Sequence, residues 1–144
     1  MVFNKYTPQA RQAIFFARWE VSELGAAAIG PEHVLLGLLR ANEVMFSELL
    51  SPDKSACQIR EQVESGVVLY ERINTSVEVP LSDECKAALA LAQQEAELSS
   101  PGRVTPAHLL LGLLRQEGTL AARVLRENGV TLGTVRERLG GAAI

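Results

Sequence analysis

Gly30-Pro31-Glu32-His33-Val34-Leu35-Leu36-Gly37-Leu38-Leu39-Arg40 returns at an offset of 75 as Thr105-Pro106-Ala107-His108-Leu109-Leu110-Leu111-Gly112-Leu113-Leu114-Arg115. A match of that length is not a chance event, and internal self-similarity at a fixed offset is the signature of a duplicated structural unit. The same ungapped offset lays Ala13, Ala17 and Glu20 over Ala88, Ala92 and Glu95, and Thr7 over Ser82. Beyond Leu50 and Leu125 the register slips by one, so that Ile59-Arg60-Glu61 lies over Val135-Arg136-Glu137, as a one-residue loop insertion requires. The sequence therefore divides into a repeat at about 1–74 and a second at about 75–144.

Each repeat reads as four helices. Thr7-Pro8 opens the first: the hydroxyl caps exposed amides and proline is tolerated in the first turn. Ala13, Ile14, Ala17, Val21 and Leu24 follow at spacings of three and four, an apolar stripe on one helix face. Pro31 and Thr105-Pro106 open the paired second helices. Their leucines cover most of the circumference, and Gly37 and Gly112, which cost about 1 kcal/mol each relative to Ala, imply that another helix comes close. Third helices are expected at about Val44 to Leu50 and Leu120 to Asn128, the latter stopped by Asn128-Gly129. Fourth helices follow at about Ser55 to Ser65 and Thr131 to Leu139. The connector from Gly66 to Leu81 reads as an ordered linker without a visible strand partner. A repeat of this size is marginal alone, so the two are expected to bury their apolar faces on each other about a pseudo-twofold axis, giving one all-α domain of eight helices.

Composition narrows the function. The chain has 144 residues, 47% hydrophobic and 22% charged, close to soluble globular averages. No apolar run approaches the roughly 20 residues that cross a bilayer, and Met1-Val2-Phe3-Asn4-Lys5 lacks the parts of a secretory signal, so the cytoplasm is the default expectation and a membrane role is not expected. Residues 1–100 hold 8 Lys+Arg against 14 Asp+Glu, and residues 101–144 hold 6 Arg against 3 Glu. The six late arginines are interleaved with Leu, Val and Glu at helical spacing and are expected to be solvated faces rather than a nucleic-acid surface. Cys57 and Cys85 are expected to be reduced, small, buried thiols. His33, His108, Cys57 and Cys85 lie too far apart in sequence, with no paired-ligand spacing, to suggest a metal site, and no nucleophile motif supports an enzyme. The gly-rich phosphate loop GxxxxGK[ST] is absent, and no cofactor is expected.

Tyr6-Thr7-Pro8-Gln9-Ala10-Arg11, then Ile29-Gly30-Pro31-Glu32-His33-Val34-Leu35-Leu36-Gly37-Leu38-Leu39, with second copies at Val79-Pro80-Leu81-Ser82-Asp83-Glu84-Cys85-Lys86 and Pro106 to Leu114, resemble the double repeat of the Clp N-terminal domain. The resemblance spans nearly the whole chain. In Clp-type AAA+ unfoldases this eight-helix domain precedes the ATPase modules, docks adaptors and receives protein substrates. It implies a non-enzymatic protein-binding module whose partners are protein substrates, adaptors, or a Clp ATPase or protease complex. It also implies that Glu32 beside Thr7 can receive phosphorylated arginine at one site, the carboxylate binding the guanidinium and a helix N-terminus the phosphate. The second repeat has Ala107 where that acid would be.

Glu32 also sits where a helix dipole favours any carboxylate. His33 and His108, repeated beside their helix starts, are expected to hydrogen-bond backbone there, a structural job shared with Pro31, Gly37, Pro106 and Gly112. Trp19, with Phe15 or Phe16, lies off the apolar stripe of the first helix. It is expected either to pack on the 66–81 linker or to anchor a partner. Phe3 and Tyr6, ahead of the first cap, either staple the helix start or line a groove. Two further readings stand beside the main one: a free-standing regulatory protein, and a self-associating module that binds a small ligand in the groove between repeats. Gly140-Gly141-Ala142-Ala143-Ile144 reads as a frayed terminus or the start of a linker.

Overall fold

A computed structural model describes residues 3–98 and 102–139, so the last five residues lie outside the described chain. Within it the helices are α1 Pro8–Leu24, α2 Pro31–Ala41, α3 Glu43–Leu49, α4 Ala56–Ser65, α5 Asp83–Glu97, α6 Pro106–Arg115, α7 Leu120–Glu127 and α8 Leu132–Leu139. The order α1–α4 repeats as α5–α8, and α2 and α6 lie against each other at the centre.

The helix starts follow from the side chains available. Thr7 Oγ1 accepts from the Ala10 N–H at 3.2 Å, and Ser82 Oγ does the same for Cys85 at 3.0 Å. At α2 the Nδ1 of His33 accepts from the Gly30 N–H at 2.8 Å, and at α6 the Nδ1 of His108 accepts from the Thr105 N–H at 3.0 Å. Both histidines thus do the backbone job expected of them, filling the place that Glu or Gln takes in an ordinary capping box. Gly25, at φ 71°, ends α1 with its N–H on Val21 O.

Close packing fixes how the first two helices of each repeat sit. A Cβ on Gly37 would stand against Ala13 O and 2.8 Å from Ala17 N. A Cβ on Gly112 would meet Ala88 O, and Ala92 N at 2.8 Å. The backbones touch where the glycines are, as the sequence implied.

Beside each contact lies a buried carboxylate. Glu20 accepts from Arg40 Nε at 3.1 Å and Arg60 Nη2 at 2.9 Å; Glu95 accepts from Arg115 Nη1 at 2.9 Å and Arg136 Nη2 at 3.1 Å. These are the same three positions in each repeat, with the one-residue slip carried through at the third. Arg115 and Arg136 were expected on solvated faces; they are instead held by a buried acid, because a carboxylate at that depth needs charged partners. Cys57 is a second correction: it is exposed, on the outer side of α4, whereas Cys85 is buried.

The two repeats are joined by an exchange of short segments. Thr7 N donates to Val104 O and Val104 N to Lys5 O, both at 2.9 Å. The symmetry-related pair is Ser82 N to Ile29 O at 2.9 Å and Ile29 N to Pro80 O at 2.8 Å. Each first helix therefore begins against the segment that leads into the other repeat's second helix. The end of the 66–81 linker thus has a one-residue bridge partner, Ile29 to Leu81, that sequence did not show. The rest of the linker lies along α1, with Tyr70 N on Leu24 O and Ile73 N on Ser22 O, both at 3.0 Å. Arg18 clamps it by donating to the carbonyls of Asn74, Thr75 and Val77. Among the described residues no helix is long and apolar enough to cross a membrane.

Candidate functional site

The segment exchange brings three helix starts together. The end of α1 (Leu24, Ala26), the start of α2 (Pro31, Glu32), the first turn of α5 (Glu84) and the start of α7 (Thr119, Leu120) surround a cleft of about 450 Å³. The linker residues Val67, Val68 and Tyr70 form its remaining wall. It is more enclosed than the shallow depressions along α1 or beside α5. The floor is apolar, and Val68, Leu69 and Tyr70 at the rim are each about two-thirds exposed. Three adjacent large side chains left in water are a candidate contact surface.

The polar groups of the cleft are acids. Glu32 is half-buried and Glu84 exposed, and no Lys or Arg lines the cleft. Among the described residues neither carboxylate has an ion-pair or hydrogen-bond partner, unlike Glu20 and Glu95. Burial pushes the Cys85 thiol up to about 12, and the charge of Glu32 adds to the shift, which puts that carboxylate close to α5. Burial holds His33 below its ordinary value, with Glu32 and Glu20 opposing, so the imidazole stays a neutral acceptor of the Gly30 N–H.

The sequence placed Glu32 beside Thr7. The structure separates them: Glu32 lies at the C-terminal end of α1 and Thr7 caps its N-terminal end, about 25 Å away along 17 residues. The segment exchange is the reason, since it sets Glu32 against the helix start of the other repeat, where Ser82 stands in place of Thr7. Tyr6 is buried, with Phe3 packed edge-on to its ring at 5.1 Å between centroids, so the pair staples the α1 start. Trp19 is half-buried beneath the Arg40 guanidinium, 4.4 Å from the ring centroid. The α1 side chain recorded on the linker is Arg18. Phe15 is the exposed aromatic of that helix. Glu84, Tyr70 and Leu120 were missed, although the apolar run Val67-Val68-Leu69-Tyr70 in an otherwise polar connector was a visible signal.

The family model for the Clp repeat (R) N-terminal domain matches residues 5–97 and 80–143. The chain belongs to the Clp N-terminal domain family. As a member it is similar to the chaperone protein ClpB of Oceanobacillus iheyensis, 32% identical over 140 residues. It is similar also to the negative regulator of genetic competence ClpC/MecB of Bacillus subtilis, 31% identical over 140 residues. Each match covers 96% of this chain and 17% of the relative, so the chain spans about a sixth of those proteins. Among solved structures it resembles the N-terminal domain of the chaperone ClpD from Arabidopsis thaliana, with a TM-score of 0.73 at 24% identity over 98% of both chains. That likeness carries the Clp N-terminal fold, with its paired four-helix repeats.

Proposed function

We propose that this Clp N-terminal domain is a protein-binding module that receives protein substrates or adaptors for a Clp-type ATPase or protease complex in the cytoplasm. The observation that carries the reading is the cleft between repeats, apolar in its floor, with Val68, Leu69 and Tyr70 exposed beside it. Its shape suits an extended peptide or a short helix laying apolar side chains between α1, α7 and the linker. Glu32 is the polar group that fixes orientation, and Trp19 with Phe15 offers a second contact area on α1. Phosphoarginine at Glu32 keeps its carboxylate but loses Thr7 as the phosphate donor, because the two stand at opposite ends of α1.

The test is capture of extract proteins by the wild-type chain beside Tyr70→Ser and Leu120→Glu variants, read by mass spectrometry, with light scattering of the chain alone. A Clp ATPase, a peptidase or a client set lost in both folded variants supports the reading. Recovery of only the chain itself, with concentration-dependent scattering, rejects it in favour of self-association.

A further inference from the structure

We infer that the cleft selects an unmodified basic side chain, Arg or Lys, set among apolar residues of an extended peptide. The inference rests on the protein-binding reading above and names its ligand class.

The argument is one of charge. Glu32 and Glu84 face the cleft without partners, Asp83 is next to Glu84 in the same first turn, and no Lys or Arg lines the walls. Three helix starts also point here, and each contributes roughly half a positive charge. Three full negative charges outweigh that sum, and the carboxylates sit on side chains that reach further into the cleft than backbone amides do. The α7 start is further occupied, since Thr119 Oγ1 already accepts from the Ala122 N–H at 3.2 Å. A guanidinium or ammonium entering the cleft gains two carboxylates, with the exposed Tyr70 ring available to its face. A phosphorylated arginine carries net negative charge and meets the same carboxylates with no cation to neutralise its phosphate. The floor of Leu24, Pro31, Val67 and Leu120 supplies contact for apolar neighbours of the basic residue.

Fluorescence anisotropy with three labelled peptides of about ten residues tests this, the sequences identical except for a central Arg, Gln or phosphoarginine between leucines. The Arg peptide is expected to bind about tenfold more tightly than either other peptide, and to weaken as salt is raised. The folded double variant Glu32→Gln, Glu84→Gln should remove that preference, while Tyr70→Ser should weaken all three peptides alike. Tighter binding of the phosphoarginine peptide overturns the inference. Equal binding of the Arg and Gln peptides, unaffected by the double variant but weakened by Tyr70→Ser, also overturns it and leaves the protein-binding reading standing. Absence of binding by every peptide, with no amide shift at residues 66–70 in an NMR titration, rejects both.

Discussion

Replacing Gly37 with Ala tests the packing that holds the first repeat together, because two effects of opposite sign compete at one atom. In an isolated helix the change favours folding by about 1 kcal/mol. In this protein the new methyl would lie against Ala13 O and 2.8 Å from Ala17 N, and both are backbone atoms of α1 that cannot rotate away. Restoring an ordinary contact requires α2 to retreat by more than half an ångström, which forfeits a quarter to a half of the dispersion at neighbouring contacts. Overpacking of this kind costs about 3 kcal/mol at the upper end of its usual range, so the net loss is about 2 kcal/mol. For a domain of this size that lowers Tm by about 4–8 °C. Gly112→Ala is the internal replicate, with Ala92 N at 2.8 Å. Gly133→Ala is the control: its methyl would meet only Thr131 Oγ1, at 3.9 Å, so it should be neutral or stabilising by up to about 1 kcal/mol. Urea unfolding followed by circular dichroism reads all three. A Gly37→Ala chain as stable as wild type would refute the claim that backbone contact, rather than helix propensity, decides this position.

Glu20→Ala should destabilise the chain by about 3–5 kcal/mol in the same assay, because Arg40 and Arg60 lose the acid they share; Glu95→Ala should act alike through Arg115 and Arg136. His33 and His108 are both held below their ordinary 6.5 by burial, so the unfolded chain takes up protons first and stability is full above that value and falls as pH drops toward the folded pKa. The fall in Tm from about pH 7.5 to pH 5.5 should flatten in His33→Gln, which keeps an acceptor for the Gly30 N–H without titrating. Arg18→Ala should speed amide exchange along residues 70–77 with a loss of no more than about 1 kcal/mol, since it frees only the linker clamp.

The helices were legible because each carries its own start: Thr7, Ser55, Ser82, Thr105 and Thr119 cap as hydroxyl residues should, and the glycines inside leucine-rich helices announced close approach. What sequence alone did not reveal is information held between distant segments. The exchange that pairs Thr7 with Val104 and Ser82 with Ile29 runs through backbone groups, which every residue possesses, so no side-chain pattern marks it. Without that exchange, Glu32 is naturally placed beside the cap of its own repeat. Glu20 and Glu95 were visible as aligned positions, yet period alone cannot tell a solvated Glu or Arg from a buried pair. Cys57 was misplaced for the same reason: one residue of α4 decides which side of a helix meets water.

The two repeats hold one frame and differ at one place. The parts that set the frame are duplicated with their geometry: the Gly37 and Gly112 contacts, the Glu20 and Glu95 pairs, the His33 and His108 caps. Where the cleft opens, the duplication breaks. Glu32 is half-buried and faces the space between α5, α7 and the linker, whereas its counterpart Ala107 is 1% exposed and belongs to the core. The first turn of α5 carries Asp83 and Glu84, and that of α1 carries no acid. A symmetric scaffold would offer two equal surfaces and no basis for preferring one end of an extended ligand. Filling one position with Ala and acidifying the other leaves the packing interchangeable and the charge polar, so the ligand's direction and its basic residue are selected without any cost to the frame.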